Sequence, residues 1–276
     1  QQMKHALARR GDVAFTGLYA NILTGLSGSE ELVHLLDFAR TLRAEHGISI
    51  TTATSSDIPG FTWGLVPTLA RQGIRYLSSG PNYMPGPGQD GDRIGRALES
   101  WGDRPFWWIG PSGMDSVLVM TAGRGYSWAG GWPKGRVTLE DASVMSEYMD
   151  DLRARNYPWD IVQVRVAIGG DNGFADAQLA DVVRQWNERY VSPRLVISTL
   201  PQMFTAMEQR HGAALPRIRG DLTGYWEDGA GSSAREQVMA RANAARLVQA
   251  STLAAIRATP LPAHARASAW RSAVLW

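Results

Sequence analysis

Short apolar and β-branched runs alternate with amphipathic stretches along this chain. Such runs predict strands, and apolar residues at helical spacing predict helices. The predicted strands are residues 13–17, 48–52, 74–77, 106–109, 116–121, 161–166 and 195–198. The predicted helices are residues 29–45, 63–72, 139–155, 176–190, 201–211 and a long one over about 232–258. Strands that alternate with helices favour a parallel sheet, either open or closed into a barrel.

The pattern indicates a single domain over residues 1–276. A Gly-Pro-Ser-Gly turn between the predicted strands 106–109 and 116–121 predicts a β-hairpin there. Glycine-rich loops over 81–95 and 122–135 interrupt the alternation, and long loops in compact domains are usually functional or mobile. No apolar run is as long as a membrane span.

Charge and composition narrow the kind of partner. The chain has 28 Lys and Arg against 26 Asp and Glu, a net charge of +2, so neither nucleic acid nor an anionic membrane is expected as the main partner. It has no cysteine, which excludes disulfides and thiolate metal sites. Its 11 Trp are many, and loop tryptophans either form flat walls for ligands such as sugars or pack in the ordinary way.

Polar side chains follow the predicted strands where each one ends. Asn21 comes after the first, Asp57 after the second, and Asn82 with Tyr83 after the third. Asp171 follows the predicted strand 161–166. Since chemistry in α/β sheets and barrels gathers at the carboxyl ends of the strands, we expect these residues to share one rim.

Two carboxylates facing each other are what glycosidic bond cleavage requires: one protonates the leaving oxygen, and the other attacks the anomeric carbon or activates water. Asp57 and Asp171 are the candidates. The alternative for Asp171 is a plain Gly-Asp-Asn-Gly turn, because Asp is common in turns. In residues 220–234, Trp226 is either a sugar platform or part of a turn before a capped helix. The five histidines show no metal-ligand spacing.

Four stretches, in this order, resemble segments of the catalytic domain of family 38 glycoside hydrolases, the retaining α-mannosidases, and its bacterial members most. They cover residues 11–32, 55–74, 168–173 and 220–237, and read GDVAFTGLYANILTGLSGSEEL, SSDIPGFTWGLVPTLARQGI, IGGDNG and GDLTGYWEDGAGSSAREQ. In that family the second stretch carries the nucleophile, the third the acid/base, and the fourth a Tyr-Trp pair that lines the sugar site. The resemblance runs through most of the chain.

The resemblance implies a seven-stranded parallel β/α barrel that acts on carbohydrate by retaining hydrolysis. It also implies a divalent metal, usually zinc, that grips the sugar hydroxyls. Asp57 would be both nucleophile and metal ligand, and Asp171 the acid/base. The substrate-binding residues that it indicates are Asn21, Trp63, Asn82, Tyr83, Tyr225 and Trp226.

The sequence departs from the family pattern at several positions. The His-X-Asp metal segment expected before Gly11 and a later metal histidine have no counterpart, so we expect flanking segments to be missing at both ends. Phe61 and Thr62 replace the usual histidine after the nucleophile. Asn172 stands where animal Golgi mannosidases have a second Asp. The acid/base position is therefore either Asp171 or the position next to it. The alternatives are a non-catalytic carbohydrate-binding barrel that has lost its metal ligands and a polysaccharide deacetylase-like enzyme.

Overall fold

A computed structural model describes residues 13–81, 98, 101–123, 125–126, 142–165 and 177–275. These residues form an α/β fold around one sheet of five strands, in the order β1-β2-β4-β3-β5. The strands are β1 (Thr52–Ser56), β2 (Tyr76–Gly80), β3 (Phe106–Ile109), β4 (Ser116–Thr121) and β5 (Arg217–Arg219).

The sheet is mixed. β1, β2 and β4 run parallel, in a register that sets Ser55 opposite Ser79 and Ser79 opposite Thr121. β3 is antiparallel to β4 and parallel to β5. The predicted hairpin is therefore confirmed, because the connection over residues 110–115 is too short for a parallel crossover. The expectation of a parallel sheet is correct for β1, β2 and β4, whereas β3 and β5 run antiparallel to them, and no strand is predicted from the sequence over β5.

Helices flank the sheet. The α-helices with described bounds are α1 (Ser29–His34), α2 (Asp37–His46), α3 (Leu65–Arg71), α4 (Ala142–Ala154), α5 (Leu179–Arg189), α6 (Leu200–His211), α7 (Ala234–Ile256) and α8 (Ala263–Val274). The same part of the chain has 3₁₀ helices over Thr24–Leu26 and Tyr225–Ser233. None of the helices in the part described is long and apolar enough to cross a bilayer.

Both faces of the sheet are buried, and the side-chain alternation of the strands separates two cores. On β3, Phe106 and Trp108 belong to the first core, together with α1, α2 and α3. Trp107 and Ile109 belong to the second, which α6 covers through Phe204 and Met207. A sheet buried on both faces needs near-continuous apolar strands, as β3 and β4 have.

The first two parallel strands lie later in the chain than predicted. The β-branched run predicts a strand over 48–52, but β1 covers Thr52–Ser56, and β2 ends at Gly80 rather than residue 77. Propensity rewards Ile and Val, whereas the observed strand ends are small hydroxyl residues. Strand pairing decides the position, since residues 52–56 pair one to one with residues 76–80.

Three other predicted strands are not strands among the described residues. Residues 13–17 contribute a single bond, from Gly17 N–H to Thr52 O at 2.8 Å. Residues 161–165 lie outside the ladder, and residue 166 is not among those described. In the predicted strand 195–198, Val196 and Ile197 are exposed, and the segment pairs with none of the described strands.

The helix predictions are closer. The helix predicted over 29–45 is two helices, since the chain turns at Leu35 and Leu36 so that both side chains reach the first core. The helix predicted over 63–72 is α3, and Gly73 follows it with φ +76. The long helix predicted over about 232–258 is confirmed as α7.

One close approach of two backbones holds the turn after β1 against the segment after β5. Phe61 and Leu222 form an antiparallel bridge, with N–H to O distances of 2.8 and 3.1 Å. At Gly60 an added Cβ would lie 1.9 Å from Leu222 O and 2.6 Å from Gly224 N. Glycine is therefore required at position 60 by space rather than by backbone conformation.

We predict that Gly60→Ala destabilises the fold by roughly 1–3 kcal/mol or more, because backbone atoms rather than a flexible side chain must move to admit the methyl group. Urea unfolding followed by circular dichroism measures the change. Gly229→Ala is the matched control: it lies in the second 3₁₀ helix with nothing within 4 Å of its added Cβ. Equal urea midpoints for the two variants would contradict the close approach of Gly60 to the backbone of Leu222.

Candidate active site at the carboxyl end of β1

Asp57 directly follows β1 and turns the chain out of the sheet. Its backbone has φ +66, a left-handed conformation that is uncommon for a residue with a side chain, although Asp tolerates it better than most. Its N–H donates to Gly80 O at 2.8 Å, which extends the β1–β2 pairing by one bond. The carboxylate is thus carried by a backbone with a defined and strained geometry, which is typical of functional sites.

Asn21 braces the residue before Asp57. Its side-chain Oδ1 accepts a hydrogen bond from the backbone N–H of Ser56 at 3.1 Å. The segment before the first 3₁₀ helix therefore lies beside the end of β1, although residues 13–17, the strand predicted before Asn21, form no strand. The bond gives Asn21 a positioning role, and its predicted contact with sugar stays a prediction.

Asp221 holds the far side of the turn. Its carboxylate accepts bonds from Trp63 N–H at 3.0 Å, Thr223 N–H at 2.7 Å and the Thr62 hydroxyl at 3.4 Å. Burial raises the pKa of Asp221, but the bonds from Thr223, Trp63 and Thr62 outweigh it and hold the pKa below the ordinary value. An ionised Asp221 thus joins the Asp57 turn to the stretch that leads to Trp226.

Trp63 is an anchor of this turn. Its indole N–H donates to Ile109 O at 2.8 Å, and the ring packs against the first core. The guanidinium of Arg219 lies 5.7 Å from the ring centre. The indole N–H is therefore already used within the fold. A sugar contact of Trp63 stays a prediction, and it would involve the apolar part of the ring.

The segment of Tyr225, Trp226 and Glu227 forms the start of the second 3₁₀ helix. Trp226 packs partly buried against the first core. Just before it, an added Cβ at Gly224 would lie 2.5 Å from Pro59 Cγ, so this segment rests on the turn after Asp57. The structure brings the stretches around Asn21, Asp57, Trp63 and Trp226 together, as a shared site requires.

Three predicted site residues lie outside the described residues: Asn82, Tyr83 and Asp171. Nothing in the structure tests them. The strand that precedes Asn82 and Tyr83 is described, and its last residue, Gly80, accepts the hydrogen bond from Asp57 N–H.

Sequence reasoning missed two polar residues that reach this rim. Arg165 donates to the hydroxyl of Ser56 at 2.7 Å, and Gln163 donates to the hydroxyl of Ser78 at 2.6 Å. A signal was present: in IVQVRV the two polar residues are spaced by two, so they mark one face of an otherwise apolar run.

Metal binding finds little support among the described residues. They contain no group of three or more His, Asp or Glu that could hold an ion. Next to Asp57, the amide oxygen of Asn21 is already bonded, and the nearby side chain of Arg165 is a cation. The described residues alone therefore do not complete a zinc site, which takes several N, S or O ligands.

A separate groove of about 880 Å³ lies at the opposite, amino-terminal end of the parallel strands. It is lined in part by Arg40, Arg43 and Arg71. Arg40 is paired with Asp37 and Arg71 with Asp115, so these two charges are already compensated. Its position places it away from Asp57.

Comparisons with known proteins give a likeness of fold. No family model matches the chain. No curated protein matches it. Among solved structures, an α-mannosidase from Enterococcus faecalis V583 matches with a TM-score of 0.58 at 14% identity, over 80% of this chain and 23% of its own. A protein of glycosyl hydrolase family 38 from Enterococcus faecalis matches with a TM-score of 0.50 at 12% identity, over 79% and 21%.

These likenesses establish a domain with the fold of the family 38 structures, in agreement with the four quoted stretches. The chain spans less than a quarter of the length of either solved structure. Identity this low carries the fold and leaves activity to be argued from the site.

We predict a pH-dependent effect of Glu227→Gln. Burial raises the pKa of Glu227, the N–H groups of Glu227 and Gly25 oppose this in part, and the charges of Asp221 and Asp228 raise it further. Both its carboxylate oxygens are buried without a well-formed hydrogen bond among the described residues. Because the folded pKa exceeds the unfolded one, ionisation costs stability as the pH rises through the folded pKa.

The difference in melting temperature, Glu227→Gln minus wild type, should therefore be more positive at pH 8 than at pH 4. Thermal unfolding at the two pH values measures it. Glu147→Gln, on the exposed face of α4, is the control and should show no such difference. A Glu227→Gln effect that is the same at both pH values would contradict the burial cost.

Proposed function

We propose that the protein is a glycoside hydrolase of α-mannosidase type, which cleaves carbohydrate with retention of configuration. Asp57 is the nucleophile and Asp171 the acid/base in this proposal. The observation that supports it most is the position of Asp57, which directly follows a parallel strand and has a left-handed backbone conformation. Three hydrogen bonds hold the backbone around it: Ser56 N–H to the Asn21 side chain, Asp57 N–H to Gly80 O, and Trp63 N–H to the Asp221 carboxylate.

The chemistry needs two steps. In the first, the Asp57 carboxylate attacks the anomeric carbon and the Asp171 carboxyl gives its proton to the leaving oxygen, so that the glycosidic bond breaks and a glycosyl ester forms. In the second, the Asp171 carboxylate takes a proton from water, which attacks the same carbon and releases Asp57. Two inversions at one carbon give net retention.

The fold likeness supports this reading. Two observations agree: the quoted stretches resemble α-mannosidase segments, and the fold resembles that of a solved α-mannosidase over most of the chain. A carbohydrate substrate follows from the same resemblance. A closed seven-stranded barrel belongs to the proposal too, although the described strands form a mixed sheet of five.

We also propose that Asp57 would be one ligand of the zinc ion that the family resemblance implies. The other ligands of this ion would have to come from outside the described residues. If it binds, it would supply Lewis-acid contact with sugar hydroxyls.

We predict that Asp57→Asn lowers kcat on an aryl α-mannoside by at least about a thousandfold, because an amide cannot form the ester. Release of the aryl group measures turnover, and proton NMR of the first-formed sugar anomer tests retention. Asp115→Asn is the control, since Asp115 precedes β4 at the opposite end of the sheet and pairs with Arg71. It should leave kcat unchanged.

Unchanged hydrolysis by Asp57→Asn would overturn the assignment of the nucleophile. A wild-type protein that binds mannosides without turning them over would instead be a carbohydrate-binding module. Calorimetric titration with the same aryl α-mannoside separates these two results, because it reads binding without turnover.

Zinc content gives a further prediction. Plasma mass spectrometry of protein dialysed against trace zinc should find bound metal in the wild type and a clear loss in Asp57→Ala. Asp115→Ala should keep the wild-type content. Equal metal in all three proteins, or none in the wild type, would remove Asp57 from any metal site.

A further inference from the structure

Arg165 lies across the carboxyl ends of β1 and β2. One terminal nitrogen donates to Ser55 O at 3.1 Å and to the Ser56 hydroxyl at 2.7 Å. The other donates to the hydroxyls of Thr54 at 3.1 Å and Ser78 at 2.7 Å. The four terminal N–H groups therefore bind both strands, and three of the four bonds fall on the residues that lead to Asp57.

The charge of Arg165 is compensated by no carboxylate among the described residues. Its partners are three hydroxyls and a carbonyl, and desolvation by burial lowers its pKa to about 10. Among the described residues this desolvated cation is held by neutral groups only, an arrangement that is costly in itself. What Arg165 contributes within this part of the chain is therefore a link between the two strand ends rather than an ion pair.

Gly80 shows how closely the guanidinium fits between the strand ends. A Cβ added to Gly80 would lie 2.4 Å from Arg165 Nη1 and 2.8 Å from its Cζ. Gly80 also supplies the carbonyl that accepts the Asp57 N–H at 2.8 Å. The guanidinium thus packs against the residue that holds the Asp57 backbone, and a side chain on Gly80 would displace it.

We propose that Arg165 is a positioning residue for Asp57, which fixes the ends of β1 and β2 so that the carboxylate leaves the sheet in its left-handed geometry. The consequence for turnover rests on the proposed function. The consequence for the backbone does not, because it concerns hydrogen bonds that exist without substrate.

Arg43 offers a matched control at the other end of the same two strands. It donates to Gln72 O at 2.5 Å and to Ile50 O, just before β2 and β1 respectively. Burial lowers its pKa as well. A methionine at either position removes a partly buried guanidinium that joins the same two chain segments, but only position 165 adjoins Asp57.

The experiment compares Arg165→Met, Arg165→Lys and Arg43→Met with the wild type. Amide hydrogen exchange of the Ser56–Asp57 region should speed up by at least about tenfold in Arg165→Met and stay unchanged in Arg43→Met, because only the first loosens the strand ends. On an aryl α-mannoside, kcat should fall about a hundredfold with KM nearly unchanged, the loss expected from displacing a reacting group by about 1 Å. Millimolar guanidinium should restore part of it.

Arg165→Lys keeps the charge but cannot bridge four acceptors, so it should resemble Arg165→Met in exchange and in kcat. It also serves if the methionine variant does not fold. Unchanged exchange in Arg165→Met and Arg165→Lys, or an equal increase in Arg43→Met, would overturn the proposal. Faster exchange in the Arg165 variants with a wild-type kcat would show that Arg165 does not affect catalysis. A wild type without turnover would refute the proposed function and leave the exchange result to decide on Arg165.

Discussion

The parallel register of β1 and β2 is the constraint on which the rest of the candidate site depends. It sets Ser56 opposite Gly80, so that the next residue, Asp57, finds Gly80 O for its N–H. A shift by one residue would exchange the two faces of β1 and bring Ser55 rather than Ser56 toward Arg165. The apolar cores on both sides hold this register, since Ala53 and Leu77 are fully buried in the first core and Tyr76 is buried in the second.

The polar groups at the strand ends lower the stability of the fold. In the register row of Ser55, Ser79 and Thr121, each hydroxyl is buried and lacks a hydrogen-bond partner among the described residues. Unpaired buried hydroxyls cost free energy, and so does the desolvated charge of Arg165 on the other face. Small polar residues where Val or Ile would pack better are typical of sites that trade stability for function.

The sequence predicted the helices and the β3–β4 hairpin better than the other strands. Leu65, Val66 and Leu69 repeat at helical spacing, so α3 was found within two residues, and glycines between two apolar runs located the β3–β4 hairpin. The start of β1 was predicted too early because Ile48 and Ile50 have the higher β-propensity, whereas Thr52–Ser56 are the residues that pair with the next strand. Propensity is local, whereas the pairing of β1 depends on a strand some twenty residues later.

The site was predictable where residues follow strand ends and unpredictable where residues reach across the fold. Asp57 was predicted from its position after a strand, and it directly follows β1. Asn21 lies beside the same strand end, but residues 13–17, the strand predicted before it, form no strand. Arg165 was missed because its role depends on contacts with Thr54, Ser56 and Ser78, about 90 to 110 positions earlier in the chain. The anchoring of Trp63 by Ile109 is likewise a tertiary contact that composition cannot show.

The central claim is that Asp57 forms a covalent bond with the sugar, and trapping that bond tests it most directly. A fluorinated α-mannosyl fluoride slows the second step more than the first, so the glycosyl ester accumulates. Peptide mass mapping after digestion should find one added glycosyl unit on the peptide that contains Asp57. Addition to a different carboxylate, or turnover without any adduct, would contradict the account.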